Sequence, residues 1–376
     1  MKKLGDILKE ILREKNIKKV GSLSRRVPDR SSDKPLQEIA IALLENKGAI
    51  VRVNEPTTIA WDLEGRQTNK ALFAYVPYNS SHLHKFEIII TGKDLKERIS
   101  QSKWPYFVID LMHWDKHTEK EKKKVALQAS QSYGVIRDYL WGNRLVLTWV
   151  NEEFKKLANF PLDKITSYDG PTAEFLKKEG INEVVLLDPW AEKDLSKEDF
   201  SVGAFIIGGI VDTGGTKKKT TPKIGEELER VGIKVKRRKI SLRGDVIGVP
   251  DRINLILELL LKMVVEDRDM DKAILEVQSP LHAKWRLRKE LPKHKIRFLI
   301  DGRKFLIVEM ELFDEYSKWL NIRWEDFVQV LRELGFVALE RKRIHHLNKI
   351  SIPRIINGKL YRVILLKRAE MLCYNC

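Results

Sequence analysis

Apolar residues recur every three or four positions at the start of the chain. Leu4, Ile7, Leu8, Ile11 and Leu12 make one stripe, which predicts an amphipathic helix over residues 4–15. A polar stretch containing Ser and Pro follows at 22–34, then an apolar segment at 36–44 and strand-like pieces at 50–53 and 70–76. Residues 1–90 therefore read as a small accessory domain of mixed type. From about 91 the pattern changes. Short runs rich in Val, Ile and Leu occur at 107–111, 145–150, 183–188, 204–211 and 235–242. Between and after them lie segments of helical period, at 117–141, 154–157, 173–178, 225–231 and 253–265. Such alternation predicts an α/β domain over 91–276, with a parallel sheet and helices on both faces. Continuous apolar runs suit strands buried on both sides. Residues 277–376 mix helix and strand signals and form a third, basic, accessory domain. No internal repeat or low-complexity tract interrupts the chain.

Composition agrees with a folded protein outside the membrane. Of the 376 residues, 43% are apolar and 33% charged, which excludes a disordered chain. The most apolar run, 255–265, is broken by Glu258 and Lys262 and is too short to span a bilayer. The first residues (Met1, Lys2, Lys3, Leu4, Gly5, Asp6) lack the apolar core of a secretory signal, so a cytoplasmic location is expected. The two cysteines, Cys373 and Cys376, form a C-x-x-C at the chain end without a second ligand pair, and are expected to be inert thiols. The eight histidines make no metal motif, and His345-His346 reads as basic surface. Trp104, Trp114, Trp141 and Trp149 read as core. No metal is expected.

Charge adds a partner. The net charge is +17: +5 over residues 1–90, +2 over 91–276 and +10 over 277–376. A near-neutral centre with basic flanks suggests chemistry in the middle and a polyanion held outside. The plainer reading is a solvated lysine surface, but so lopsided an excess favours nucleic acid.

The most distinctive segment runs Phe205-Ile206-Ile207-Gly208-Gly209-Ile210-Val211-Asp212-Thr213-Gly214-Gly215-Thr216. A buried strand meets a glycine pair and then presents an aspartate. Glycines let backbone approach a ligand closely, and ligands of open α/β sheets bind at the carboxyl ends of strands. The bland alternative is a glycine-rich turn with a capping acid. A phosphate-binding P-loop is excluded, because Gly215 and Thr216 stand where Lys and Ser or Thr belong. No G-x-G-x-x-G follows a predicted strand. Asp188, Asp212 and Asp245 follow three strands and point to one rim, yet their spacing matches no metal template. Asp245 lies in an Arg-Gly-Asp turn and Asp251 near a helix start, where an acid is favourable in any case. Lys217, Lys218, Lys219, Lys236, Arg237, Arg243, Lys284, Arg286 and Arg288 are candidates for a phosphate backbone.

At Ile207-Gly208-Gly209-Ile210-Val211-Asp212 the sequence resembles the SPOUT-class tRNA methyltransferases that modify N1 of the purine at position nine, in their archaeal form. Supporting pieces follow in family order: Val108-Ile109-Asp110, Gln128 and Tyr133, Leu145-Val146-Leu147-Thr148, Arg238-Lys239-Ile240-Ser241-Leu242, and Val246-Ile247-Gly248-Val249. The resemblance covers roughly 105–275. It implies a SPOUT-like parallel sheet with a C-terminal trefoil knot, flanked by accessory domains, and S-adenosyl-L-methionine as cofactor. It implies cofactor contacts at Leu187, Asp188, Ile207, Gly208, Thr213, Gly214, Gly215, Thr216, Thr221, Ile240, Leu242, Gly248, Val249 and Pro250. Asp212 resembles the family's general base, and Asp245 is a second catalytic candidate. The family often has proline at Ser241 and asparagine at Pro250. The implied partner is tRNA and the implied state a monomer. Two rivals are a SPOUT enzyme acting on another RNA site and a non-catalytic RNA-binding protein.

Overall fold

The computed structural model describes residues 1–24, 26–29, 32–212 and 220–365. They form two compact units, residues 1–240 with 251–268, and residues 241–250 with 269–376.

The first unit opens with helix α1 (Leu4–Glu14), whose apolar stripe is fully buried as its spacing demands. Strand β1 (Lys19–Ser22), helix α2 (Pro35–Leu44) and strands β2 (Gly48–Thr57), β3 (Ala60–Asp62), β4 (Gln67–Thr68), β5 (Ala71–Pro77) and β6 (Glu87–Ile90) follow. The strands make a mixed sheet in the order β4-β3-β1-β5-β2-β6. Leu8, Leu12, Ile39, Leu43, Ile50 and Tyr75 form the core between this sheet and the two helices.

Helix α3 (Gly92–Ser100) leads to a second sheet: β7 (Tyr106–Asp110), β8 (Leu145–Thr148), β9 (Thr166–Ser167), β10 (Glu183–Leu187), β11 (Ala204–Gly208) and β12 (Lys234–Arg238). Its order is β12-β10-β11-β7-β8-β9 and every neighbouring pair is parallel. The crossovers carry helices α4 (Glu119–Tyr139), α5 (Glu152–Leu157), α6 (Thr172–Lys178) and α7 (Thr221–Arg230), and α8 (Ile253–Val264) follows. Val108, Val146, Leu186 and Ile206 face α6 and α7, where Phe175, Leu176, Ile224 and Leu228 meet them. Phe107 and Phe205 stack 5.5 Å apart, and α8 lies against β11 and α4. The α/β architecture expected from the alternating pattern is thus present.

Element ends follow local chemistry. Helix α4 starts with a capping box: Thr118 Oγ1 accepts the Glu121 N–H, and Glu121 Oε2 accepts the Thr118 N–H. Gln128 on α4 is buried, and its Oε1 accepts the Ile253 N–H at 2.9 Å at the start of α8. Strand β8 stops at Thr148 because Trp149 turns to a φ of +58°. No helix among the described residues is long and apolar enough to cross a membrane.

The second unit contains α9 (Met270–Val277), α10 (Pro280–Glu290), β13 (Ile296–Ile300), β14 (Arg303–Glu309), α11 (Leu312–Tyr316), α12 (Trp324–Leu334), β15 (Phe336–Leu339), α13 (Arg341–Ile350), β16 (Ile352–Ile356) and β17 (Lys359–Ile364). Its strands form a mixed sheet, β15-β14-β13-β17-β16, around Phe298, Ile307, Ile344 and Ile364. The segment 241–250, expected to belong to the central domain, folds within this unit.

Gln37 joins the N-terminal layer to α4. Its Oε1 accepts the Gly5 N–H at 2.6 Å, and its Nε2 donates to Arg137 O at 2.9 Å and Leu140 O at 2.8 Å. Gln37 is 6% exposed, so water cannot replace these bonds. Gln37→Leu should leave one donor and two acceptors unpaired. We expect a loss of about 2 kcal/mol, read as a lower urea midpoint with unchanged far-ultraviolet circular dichroism at zero denaturant.

Candidate active site

Because the second sheet is wholly parallel, its carboxyl ends share one rim. The register sets Leu187 beside Ile207 and Arg238, and Asp110 beside Gly208 and Thr148. Beyond β11 the chain is held by its backbone. The Gly209 N–H donates to Asp110 O at 2.7 Å. A Cβ on Gly209 would come within 2.6 Å of Leu111 Cδ2 and 2.9 Å of that carbonyl oxygen, so the approach requires glycine.

Two buried histidines from the turn after β7 fix what comes next. The Val211 N–H donates to His117 Nε2 at 3.0 Å. His117 Nδ1 lies 3.1 Å from Trp114 O. A carbonyl only accepts, so the proton sits on Nδ1 and the ring is neutral. His113 Nε2 donates to Thr220 O at 3.1 Å. Burial, and then the charge of Lys116, hold the His113 pKa below its ordinary value. Val211 and Thr220 are therefore both tied to one turn. Asp212 is exposed, on the carboxyl side of β11.

Asp110 is the buried acid of the rim, 2% exposed. Burial pushes its pKa up to about 6, although Thr172 Oγ1 donates to Oδ2 at 2.5 Å and the Met112 N–H to Oδ1 at 2.8 Å. Thr148 Oγ1 stands 2.5 Å from Thr172 Oγ1 and completes the chain of hydroxyls. Asp110, Met112, Trp149, Thr172, Ile224 and Leu228 line part of a cavity of about 330 Å³.

The candidate cofactor residues divide between the units. Leu187, Ile207, Gly208 and Ile240 lie at or just beyond the rim in the first unit. Leu187 and Ile240 are each 8% exposed and Gly208 is half-buried, while Ile207 is in the core. Thr221 is the first residue of α7. Asp188 is buried, and its Oδ1 accepts the Trp190 N–H at 3.0 Å, so its carboxylate shapes its own loop. Leu242, Gly248, Val249 and Pro250 belong to the second unit. Thr213, Gly214, Gly215 and Thr216 lie outside the described residues, as do Lys217, Lys218, Lys219, Cys373 and Cys376.

Two expectations are revised. Asp245, taken as a catalytic candidate, is committed to its own surroundings. Its Oδ1 accepts the Ile247 N–H at 2.9 Å, and its Oδ2 pairs with Lys289 and with Arg286 at 3.5 Å. Burial raises its pKa, but that N–H and the two cations outweigh it and bring the pKa below the usual carboxylate value. Such a carboxylate is a poor proton acceptor. Arg286, taken as an RNA contact, is 4% exposed and turned inward, so a polyanion cannot reach it. The other described basic candidates are paired with acids, all but the buried Asp326 lying nearer the surface. Lys236 pairs with Glu183 at 3.2 Å, Arg237 with Glu229 at 3.6 Å, Arg243 with Asp271 at 3.9 Å, Lys284 with Asp326 at 3.4 Å and Arg288 with Glu333 at 2.7 Å. Among the described residues no cluster of His, Cys, Asp and Glu could hold a metal ion. Sequence reasoning missed Asp110, His113 and His117 as site residues. An acid ending an apolar strand is the signal that singled out Asp188 and applied equally to Asp110. Nothing in the sequence marks the histidines.

Comparison with known proteins decides the family. A protein 63% identical over 376 residues, covering all of both chains, is the tRNA (guanine(9)-/adenine(9)-N1)-methyltransferase of Thermococcus kodakarensis. The chain belongs to the tRNA (guanine(9)-/adenine(9)-N1)-methyltransferase family. Models of that family's N and C domains match residues 5–98 and 284–369. A model described as protein arginine N-methyltransferase SFM1-like matches residues 117–240. The tRNA (adenine(9)-N1)-methyltransferase of Sulfolobus acidocaldarius is 31% identical over 296 residues, 76% of this chain and 85% of that one. Among solved structures, the dual specific Trm10 from Thermococcus kodakaraensis aligns with a TM-score of 0.63 at 52% identity, covering 72% of this chain and 99% of the other. Sulfolobus acidocaldarius Trm10 in complex with S-adenosylhomocysteine aligns at 0.62 and 23% identity, covering 89% and 100%, and supports the fold.

The geometry of this family member yields two expectations. His117→Phe fills the same space without an acceptor for Val211. It should lower kcat for methyl transfer on the order of tenfold or more with little change in thermal midpoint, and His117→Gln, whose amide oxygen can stand near the former Nε2, should recover much of the loss. The second concerns pH. Asp110 has a folded pKa of about 6 against an ordinary value of 3.8, so the native state holds the proton more tightly. Its contribution therefore falls as pH rises from about 4 to about 6, by about 3 kcal/mol in full. Asp110→Asn should remove that descent, seen as a flatter difference between variant and wild-type denaturation midpoints across this window.

Proposed function

We propose that the protein is an S-adenosyl-L-methionine-dependent methyltransferase that acts on N1 of the purine at position nine of tRNA. The observation that carries this reading is the 63% identity, over the full length of both chains, to the Thermococcus kodakarensis enzyme named for that activity. On the finer level we read the parallel sheet as a SPOUT-like domain with a trefoil knot. The regions 1–90 and 277–376 are its accessory domains, and the enzyme works as a monomer in the cytoplasm.

The rim fits such a cofactor. Leu187 and Ile240 offer apolar surface for an adenosine ring, and backbone without side chains at Gly208 and Gly209 admits close approach. When bound, S-adenosylmethionine supplies a methyl group activated by its sulfonium. The protein's part is to hold the target nitrogen in line with that group, so positioning governs the rate. Gly209 and His117 set the backbone that carries Asp212.

Guanine carries a proton on N1 that must leave, and Asp212 accepts it in this reading. Adenine has a lone pair on N1 and needs no base. The base sits within folded tRNA and must be turned out of its stack, and the basic flanks supply contacts to the phosphate backbone. We assign Asp245 no proton transfer.

The test is methyl transfer to two tRNA transcripts that differ only at nucleotide nine, with the modified position mapped by mass spectrometry. Methylation elsewhere in the RNA would point to a different RNA site, and absence of cofactor binding by calorimetry to a non-catalytic RNA-binding protein. Asp212→Asn should slow guanine methylation in single turnover by more than it slows adenine methylation, and equal losses would remove the base role.

A further inference from the structure

The strands of the C-terminal sheet carry six cations, Arg297, Arg303, Lys304, Arg354, Lys359 and Arg362, and a single acid, Glu309. Successive side chains alternate between the two faces of a sheet, so the register sorts them. One face is covered by α13. There Phe298, Ile307 and Ile364 pack with Ile344 and Leu347, Glu309 pairs with Arg341 at 2.8 Å, and Arg362 Nη1 donates to Asn348 O at 3.3 Å.

The other face is fixed by the partners Leu299 and Lys304, Leu299 and Val363, Ile352 and Val363, and Arg354 and Tyr361. Arg297 and Lys359 share it, each two residues from one of these. Four cations therefore stand on this face, and no acid of the strands does. Lys304, Arg354 and Lys359 are exposed and Arg297 is partly so. Among the described residues none of the four has an ion pair or a side-chain hydrogen bond. The α10 cations differ, for Lys284, Arg286, Arg288 and Lys289 all hold acids.

The ring of Tyr361 lies among these charges, partly exposed. Arg354 is directly opposite it on β16. Arg297 stands at its level on β13, because Phe298 is the partner of Arg362. Neighbouring strands are about 4.8 Å apart, so an arginine flanks the ring on each side. Leu299 and Val363 beside it are partly exposed, and Ile352 is 62% exposed. An aromatic ring between cations suits a nucleobase with its phosphates. A sheet cannot enter the deep, narrow major groove of an RNA duplex, whereas unpaired bases can be splayed onto it.

We propose that this sheet face binds an unpaired segment of the RNA substrate, with a base stacked on Tyr361 and phosphates held by Arg297, Lys304 and Arg354. This rests on the reading that the substrate is tRNA. It adds to α10 a surface whose cations need release no partner when RNA arrives.

The experiment measures binding of the full chain to a tRNA transcript by fluorescence anisotropy over a salt series, with S-adenosylhomocysteine calorimetry on each variant. Arg297→Gln, Lys304→Gln and Arg354→Gln combined should weaken tRNA binding on the order of tenfold or more. The slope of log affinity against log salt should become shallower by about 2. The Kd for S-adenosylhomocysteine should not change. Tyr361→Leu should lose about tenfold with the salt slope kept, and Tyr361→Phe should bind as wild type does. A labelled single-stranded RNA of about ten nucleotides should rank these proteins in the same order. If Tyr361→Leu does not fold, the triple variant, altered only at unpaired side chains, carries the test.

A matched variant, Lys342→Gln, Arg343→Gln and Lys349→Gln, removes three exposed charges from α13 on the opposite face. It should lose much less. Equal losses in the two triple variants overturn the proposal, since charge alone then acts. Wild-type affinity in both Tyr361→Leu and the first triple variant also overturns it. If that triple variant instead alters self-association in sedimentation, the face belongs to a second copy of this chain. Should these variants bind like a wild type that methylates position nine, this inference falls and the tRNA reading stands. A wild type that binds no tRNA removes both.

Discussion

One close approach organises the rim: the Gly209 N–H against the carbonyl of Asp110. In an all-parallel sheet each strand leaves at the same edge, and its next residues must turn aside without clashing with the strand beside it. β11 does so by a residue with no side chain, whose N–H makes the last bond of the β7–β11 ladder before the chain leaves the sheet. Asp110, which ends the neighbouring strand, is buried, and its raised pKa follows from that burial. Val211 is then within reach of His117, and the chain that bears Asp212 leaves in a fixed direction. A larger residue at position 209 would have to displace Leu111 or the backbone of β7 itself.

Much of this fold was legible because it follows from period and local chemistry. The stripe Leu4, Ile7, Leu8, Ile11 and Leu12 is one face of α1, and the Val/Ile/Leu runs are the strands of the parallel sheet. The errors lie at ends, where geometry overrides pattern. The run expected at 204–211 stops at Gly208: the Gly209 N–H makes the last ladder bond to Asp110, and the Val211 N–H turns to His117 instead. The helix expected from 117 begins at Glu119, because Thr118 and Glu121 cap each other. What was not legible is tertiary. His117 meets Val211 across 94 positions, and His113 meets Thr220 across 107. A lone histidine carries no sign of such a partner.

The loop 241–250 shows the same limit from the other side. By sequence it is the stretch joining a strand to an apolar helix, and belongs with both. In the structure its carbonyls and its aspartate are satisfied by Gln278, Arg286 and Lys289. Buried polar groups must find partners, and here the partners come from residues 30 to 44 positions further along the chain. The domain boundary is thereby set by hydrogen bonding and ion pairing rather than by the hydrophobic period.

The basic surface divides by burial, not by residue type. Arg286 and Lys289 share Asp245, yet only Lys289 is substantially exposed. A buried pair is held by the cost of leaving either charge alone in a low dielectric. Arg286 is itself buried and is also held by Glu290, which would lose its partner, so Arg286 cannot be recruited by RNA. The pairs Lys284–Asp326 and Arg288–Glu333 differ. The Arg288–Glu333 pair is solvated on both sides, and water and salt already compete for it, so its bond is weak. A phosphate can take the arginine while Glu333 returns to solvent. Lys284 stands between these cases, since Asp326 is buried and its release costs more. Of the basic candidates in the C-terminal region, those whose present partners can return to water are the ones able to meet a phosphate, while Arg286, read from sequence as one of them, is a structural strut.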